Sequence, residues 1–134
     1  MTDERRIHGE QVRRDVLGDG HVDAAEAATT DFTRPFQEYL TGAAWADVWG
    51  RPGLDRRTRS AITLAMLSAL RAEPEIPMHV RAALRNGLTR EEIGEVLLQV
   101  AVYAGLPAAN AAFQLADAVL RVDAVQDDDD NARG

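Results

Sequence analysis

A single histidine lies in a largely aliphatic stretch and is the first residue that could do chemistry. His79 belongs to the segment IPMHVRAALRNG, residues 76–87, in which the other side chains are mostly aliphatic, with Arg and Asn between them. Imidazole titrates near neutral pH, so it can act as a general acid or base. A lone helical histidine is, however, more often a packed side chain than a catalytic one. Both roles stay open for His79.

A stripe of polar residues follows on the next predicted helix. Glu95, Gln99 and Tyr103 are spaced by four and therefore lie on one helical face. The stripe carries a carboxylate, an amide and a phenol but no basic group. Because consecutive helices pack as hairpins, we expect Glu95 and Tyr103 to form a buried polar cluster near His79. The alternative is an ordinary solvated helix face.

A basic segment is the third candidate. Residues 51–59, RPGLDRRTR, contain four arginines in a chain of net charge −7, and Trp49 lies just before them. Guanidinium groups bind carboxylates through two parallel hydrogen bonds. We therefore predict that this basic segment, beside Trp49, binds a carboxylate. The alternative is that these arginines only form ion pairs at a subunit surface.

His21 is a rival to His79. It follows a Gly-Asp-Gly sequence in LGDGHVD, which predicts a turn, and functional side chains are often presented on such loops. The chain has no Cys, and its three histidines, at positions 8, 21 and 79, lack the spacing of a zinc site. We therefore expect no metal site.

The elements that must position these residues are predicted to be helices. After residue 33 the apolar spacing is helical, and runs of alternating β-branched residues are missing, so the sequence predicts an all-α helical bundle of about six to seven helices. One helix covers residues 34–49 and ends before Gly50 and Pro52. Asp55 can cap the next helix. That helix carries no charge over residues 60–70, which predicts a central, buried position.

The second half of the chain has clear start and stop signals. Asn86 and Gly87 close the His79 helix, and Thr89 with Glu92 forms a capping box that opens the next one. That helix ends at Gly105, and a last, Ala-rich helix begins near Pro107. We predict one domain over residues 1–123 and an acidic, disordered tail over residues 124–134, which includes DDDD.

The charge and the N-terminus exclude several classes of protein. A net charge of −7 opposes binding to nucleic acid or to an anionic membrane. The segment GLTREEIGEVL resembles the start of a helix-turn-helix, but the helix that follows offers mostly Ala to a DNA groove. The N-terminus is charged and no apolar stretch reaches the length of a membrane span. We expect a cytoplasmic protein that binds neither nucleic acid nor membrane.

Three stretches resemble a known family. VRRDVLGDGHVD, WGRPGLDRRTRSAITLAML and MHVRAALRNGLTREEIGEVLLQVAVYAGLPAANAAF are similar to the carboxymuconolactone decarboxylase and alkylhydroperoxidase D-like superfamily, over roughly residues 8–122. The resemblance implies an all-α homo-oligomer, a trimer or hexamer, that decarboxylates 4-carboxymuconolactone without a cofactor in the protocatechuate branch of the β-ketoadipate pathway. The peroxidase branch needs cysteines, and this chain has none.

On that resemblance, the residues can be given roles. Arg51, with Arg56 or Arg81, would hold the carboxylate that is retained, and His79 would protonate the dienolate left by CO₂. Glu95 would orient His79, Tyr103 would donate a further hydrogen bond, and His21 is the alternative acid. Two other functions remain open: a lyase or isomerase acting on a related lactone or keto acid, and a non-catalytic oligomeric subunit.

Overall fold

The computed structural model describes residues 1–133, and within them it contains helices and turns but no strand. The all-α prediction is therefore confirmed, with seven α-helices in the described residues. The helices are α1 (Asp3–Leu17), α2 (Asp19–Ala27), α3 (Arg34–Leu40), α4 (Arg56–Ala69), α5 (Ile76–Arg85), α6 (Arg90–Ala104) and α7 (Leu106–Arg133). A π-helical segment (Thr41–Trp49) follows α3, and a 3₁₀ turn (Glu73–Glu75) precedes α5.

The chain divides into two compact units. The first unit is Met1–Arg59 and the second begins at Ser60. Each is described by itself below. The prediction of one domain over residues 1–123 stays a prediction.

The first unit packs α1 against the π-helical segment. Val12 and Val16 of α1 form a buried cluster with Trp45. The backbones approach closely at Gly9, where a β-carbon would lie 2.2 Å from the carbonyl oxygen of Thr41. Any larger residue at position 9 would separate the two helices, so this glycine makes the contact possible.

The helix predicted over residues 34–49 is continuous, but its second half is π-helical. The Gly50 N–H donates to the carbonyl oxygen of Trp45, five residues earlier, at 2.9 Å. No sequence pattern predicted this wider winding, which is rare and is frequently found at functional sites. An ion pair supports it from α1, because Arg5 Nε donates to Asp47 Oδ1 at 2.9 Å.

The second unit has a larger apolar core. Its buried cluster comprises Leu64, Ile76, Val80, Ala83, Leu88, Ile93, Leu97, Ala112, Ala116 and Val119. The alanines of α7 allow this helix to approach its neighbours closely. Each of the helices α4, α5, α6 and α7 thus contributes buried apolar residues to this core.

The prediction that α4 is buried on all sides is wrong. Ile62 is 39% exposed, Met66 59% and Leu70 78%. Only Ser60, Leu64 and Ser68, which are spaced by four and share one face, are buried. The uncharged run of residues 60–70 therefore includes an exposed apolar face and does not form a fully buried helix.

The predicted caps are confirmed. Asp55 Oδ1 accepts from the N–H of Thr58 at 2.7 Å, and Thr89 forms a capping box with Glu92. Gly87 and Gly105 close α5 and α6 with positive φ values of 102° and 99°, which favour glycine.

The last helix is longer than expected. The sequence predicted disorder from residue 124, whereas α7 continues to Arg133. Residues 108–133 contain neither Gly nor Pro, so no residue type that breaks helices interrupts them. Gly134, the final residue of the predicted tail, lies outside the described residues. No helix within residues 1–133 is both long and apolar enough to cross a membrane.

Candidate functional site

The predicted site residues are divided evenly between the two units. His21, Trp49, Arg51 and Arg56 belong to the first unit, and His79, Arg81, Glu95 and Tyr103 belong to the second.

His79 lies in the first half of α5, two residues after Pro77. The helix buries Ile76, Val80 and Ala83 in the core, and His79 is half-buried at the edge of that face. The Nδ1 atom of His79 is shielded from solvent. Partial burial of this kind keeps an imidazole accessible to a small molecule while it limits contact with water.

A buried polar contact shares this side of α5. Asn86 follows His79 by seven residues, or two helical turns, so both side chains project from the same side. Asn86 Nδ2 donates to Ser60 Oγ of α4 at 3.0 Å, and Ser60 is only 1% exposed. This pair is the clearest polar feature inside the second unit.

The sequence patterns do not predict the contact between Ser60 and Asn86. They mark Asn86 as part of a helix end and Ser60 as part of an uncharged run. The available signal was the spacing by four of Ser60, Leu64 and Ser68 in the uncharged run of residues 60–70, which predicts hydroxyl groups facing a core. Ser68 satisfies its hydroxyl within its own helix, donating to the carbonyl oxygen of Leu64 at 2.7 Å.

Glu95 and Tyr103 do not form the expected buried polar cluster. Glu95 is exposed and Tyr103 is 82% exposed. The physical reason is the apolar stripe of α6, in which Ile93, Leu97 and Val100 take the side that faces the core. The polar stripe is therefore left at the surface.

Glu95 nevertheless lines a shallow groove with residues of α4. The groove has a volume of about 390 Å³ and includes Ile62, Ala65, Val96 and Gln99. Its walls are mostly apolar, with Glu95 and Gln99 as the polar groups. Neither His79 nor Tyr103 is among its lining residues.

Arg81 lines a different groove, of about 420 Å³, between α5 and α7. Pro77, Leu115, Val119 and Val122 supply its apolar wall. Residues two apart on a helix do not share a face, so α5 directs Arg81 and His79 to different sides. The expectation that Arg81 helps at a site shared with His79 gains no support within this unit.

In the first unit, Trp49 and Arg51 lie where the π-helical segment ends. The ring of Trp49 packs on Trp45 with centroids 5.4 Å apart. Arg51 is exposed, and its carbonyl oxygen accepts from Arg59 Nη2 at 3.5 Å. The carboxylate-binding role of Trp49 and Arg51 stays a prediction.

Arg56 has a partner from the chain itself. Its Nη1 atom lies 3.4 Å from Asp15 Oδ2 of α1. The alternative interpretation of the basic segment, ion pairing, therefore applies to Arg56 more directly than to Arg51.

His21 is not on a Gly-rich turn. Only Gly18, with φ 89°, separates α1 from α2, while Asp19 and Gly20 begin α2. His21 is exposed on this helix. The prediction of a turn is wrong there because Asp19 joins the first helical turn, where a carboxylate is favourable.

One arginine of α1 forms ion pairs with three acidic residues along α2. Arg14 forms ion pairs with Asp19, Asp23 and Glu26, at 3.1, 2.9 and 3.3 Å. The hydrogen bonds to Asp19 and Asp23 raise the pKa of Arg14. Within the described residues, no group of three or more His, Cys, Asp or Glu side chains could hold a metal ion.

Comparisons with known proteins identify relatives over most of the chain. The family model described as the carboxymuconolactone decarboxylase family matches residues 34–118. The chain is 46% identical over 122 residues to the 4-carboxymuconolactone decarboxylase of Acinetobacter baylyi, covering 90% of this chain and 91% of that protein. It is also 48% identical over 105 residues to a nitrosuccinic acid decarboxylase of Metarhizium robertsii, covering 77% and 73% of the two chains.

Proposed function

Because the chain belongs to the carboxymuconolactone decarboxylase family, we propose that it is a carboxy-lyase that converts 4-carboxymuconolactone to 3-oxoadipate enol-lactone without a cofactor. The observation that carries this proposal is the 46% identity to a protein named for that reaction, over about nine-tenths of both chains. The reaction would serve the protocatechuate branch of aromatic catabolism.

The proposed decarboxylation proceeds through a dienolate. When the C–C bond to the carboxylate breaks, its electron pair passes through the ring double bond to the lactone carbonyl oxygen, and CO₂ leaves. The resulting dienolate then takes up a proton on carbon. The protein must bind a dianion, stabilise the charge on that oxygen and deliver the proton.

Arg51 is proposed to bind the carboxylate that is retained, with Trp49 beside it. Two observations support this choice: Arg51 is exposed, and Trp49 is half-buried against Trp45. Arg56 and Arg81 are assigned supporting roles, since Arg56 already contacts Asp15 and Arg81 lies over an apolar groove.

His79 is proposed to be the acid that protonates the dienolate. Its half-buried position, its shielded Nδ1 atom and the polar pair Ser60–Asn86 on the same side of α5 support this role. Glu95 and Tyr103, which are exposed, would contribute only if a further subunit covers them. His21 remains the alternative acid.

A second substrate is supported by the second relative. That protein is named for the decarboxylation of nitrosuccinic acid and is 48% identical over 105 residues. Nitrosuccinic acid is also a dicarboxylic acid, and loss of the carboxylate beside the nitro group leaves electrons that the nitro group stabilises. The same three tasks would serve both reactions.

We further propose a homo-oligomer, a trimer or hexamer, located in the cytoplasm. Several large apolar side chains of the second unit are exposed, including Val102 at 75%, Leu106 at 75% and Leu98 at 52%. Apolar surface of this extent usually marks a contact with another chain. A non-catalytic subunit would need the same surface, so oligomerisation alone does not separate the two functions.

The test is a direct assay. The purified protein, treated with a chelator, is incubated with 4-carboxymuconolactone and in parallel with nitrosuccinic acid, while CO₂ release and product formation are followed. Rapid turnover of the lactone is expected, and preference for nitrosuccinic acid would favour the second substrate. No turnover of either by a folded oligomer would contradict a decarboxylase function.

The Arg51→Ala, Arg56→Ala double variant separates enzyme from structural subunit. If the arginines bind substrate, the KM should rise while the oligomer measured by light scattering persists. Loss of the oligomer instead would assign these residues to a subunit interface.

A further inference from the structure

The first unit contains a cavity that the proposed reaction does not use. It has a volume of about 300 Å³ and is lined by residues of α1, α2, α3 and the π-helical segment. This is the lower end of the range for small-molecule sites. Most of its lining residues precede residue 34, where the match to the family model begins.

The charged side chains that line the cavity are balanced. Three arginines and three glutamates contribute to its wall: Arg6, Arg13, Arg34, Glu10, Glu26 and Glu38. A dianion or an inorganic phosphate would meet three carboxylates there, and a simple cation would meet three guanidinium groups. A ligand that carries both signs of charge is electrostatically favoured.

Most of these charged groups are already paired by the chain. Arg6 Nη1 lies 3.1 Å from Glu10 Oε1, and Arg34 Nη1 lies 2.6 Å from Asp31 Oδ1. Glu26 lies 3.3 Å from Arg14. These ion pairs leave one cation and one anion of the wall to consider, Arg13 and Glu38.

Arg13 is a guanidinium with unused hydrogen-bonding capacity. Its Nη1 atom donates to the amide oxygen of Gln37 at 3.1 Å, and its buried Nε has no hydrogen-bond partner among the described residues. Burial lowers the pKa of Arg13, while the nearby charge of Glu26 opposes this effect. A carboxylate would pair with this buried donor.

Glu38 is the complementary anion. It follows Gln37 in α3, is exposed, and lines the same cavity. An ammonium group would satisfy it. Val22 and Thr41, which are buried, also line the cavity and offer surface for a short carbon chain.

We propose that this cavity binds a small amino acid zwitterion, with its carboxylate on Arg13 and its ammonium group on Glu38. None of the proposed decarboxylation residues lines this cavity, so binding there does not depend on them. Both charged groups of the ligand then replace water with a charged partner, which neither a plain carboxylate nor a plain amine would achieve.

The experiment compares three isomeric aminobutyrates with butyrate, which lacks the ammonium group. Butyrate and the 2-, 3- and 4-aminobutyrates are titrated into the ¹⁵N-labelled full-length protein, and the Arg13 Nε–H signal and the backbone amides of residues 34–41 are followed. The aminobutyrates share one formula and one set of charges, and they differ in the separation of those charges. We expect one isomer to bind roughly tenfold or more tightly than butyrate.

Two variants and a control assign the contacts. Arg13→Met should abolish binding of every probe, and Glu38→Gln should reduce the best isomer to the affinity of butyrate while leaving butyrate unchanged. Arg34→Gln removes a cavity arginine that is already paired with Asp31, and it should keep affinity within about twofold.

Three outcomes would overturn the proposal. The first is the absence of any saturable shift in the wild-type signals with every probe, a result that does not depend on whether a variant folds. The second is equal affinity for butyrate and all three aminobutyrates. The third is an equal loss of affinity in Arg34→Gln and Arg13→Met.

Discussion

The two units of this chain differ in the interactions that join the segments inside each unit. In the first unit, three buried apolar residues form the core cluster, and ion pairs such as Arg5–Asp47 and Arg56–Asp15 join separate segments. In the second unit, ten buried apolar residues form one cluster. Two of its ion pairs, Arg71–Glu73 and Arg121–Asp117, link residues close in sequence.

The two units therefore present side chains that suit different chemistry. The first unit presents arginines and carboxylates at helix surfaces, which suits recognition of charged ligands. The second unit shields a histidine and a Ser–Asn pair beside an apolar core, which suits proton transfer with limited water. Substitutions in each unit test this difference.

The largest effect is expected for His79→Ala in the second unit. If His79 is the acid, kcat should fall by about 10²–10⁴, the usual contribution of a general acid. His21→Ala is the matched control in the first unit, and it should leave kcat within about twofold. The measurement is steady-state turnover of the lactone, and near-normal turnover by His79→Ala with loss in His21→Ala would reverse the assignment.

The next effect concerns the apolar core of the second unit. Leu64 is fully buried, so Leu64→Ala should lower the free energy of unfolding by about 2–5 kcal/mol, through lost burial and a residual cavity. Ile62→Ala on the same helix is the control. Since Ile62 is 39% exposed, it should cost clearly less in urea unfolding, and an equal cost would mean that this face of α4 is covered in solution.

A smaller effect is expected at the buried polar pair. Asn86→Ala leaves the Ser60 hydroxyl, 1% exposed, without this donor, at a cost of about 1–3 kcal/mol in the free energy of unfolding. The Ser60→Ala, Asn86→Ala double variant removes both partners and should be less destabilised than the sum of the single variants. Strict additivity in urea unfolding would show that the pair does not interact.

The smallest effect is electrostatic and belongs to the first unit. The hydrogen bond from Arg5 lowers the pKa of Asp47. A carboxyl whose folded pKa lies below its unfolded pKa stabilises the fold above the unfolded value, near 3.9. That stabilisation is lost as pH falls through the folded value.

Asp47→Asn should therefore weaken the fall in stability between about pH 4 and pH 2. The measurement is the urea midpoint as a function of pH at low salt, since salt screens exposed pairs. Asp129→Asn, in the acidic run near the C-terminus, removes the same charge as a control. Identical pH profiles for the two variants would exclude a specific role for the Arg5–Asp47 pair.

Helix boundaries were the most predictable part of the fold. The caps at Asp55, Thr89, Gly87 and Gly105 were confirmed because each depends on contacts or dihedral angles within a few residues. The π-helical winding of residues 41–49 was not predicted. Its support comes from Gly9 and Arg5, more than thirty residues away in sequence.

The candidate site was predicted only in part. The sequence singled out His79 and Arg51, whose half-buried and exposed positions suit the proposed roles. The expected burial of Glu95 and Tyr103 was wrong, and the Ser60–Asn86 contact was missed. Spacing shows which residues share a helical face, but it does not show which face a neighbouring helix covers.

The helical class, the helix ends and the family can be inferred from the amino-acid sequence, because they depend on local hydrogen bonds and on residue order. Tertiary packing instead sets which faces of α4 and α6 are covered, and which buried polar groups meet across helices. It also placed Arg13 and Glu38 on one cavity, although they are twenty-five residues apart in the chain. Packing between distant segments sets exposure and pairing, and no local pattern encodes it.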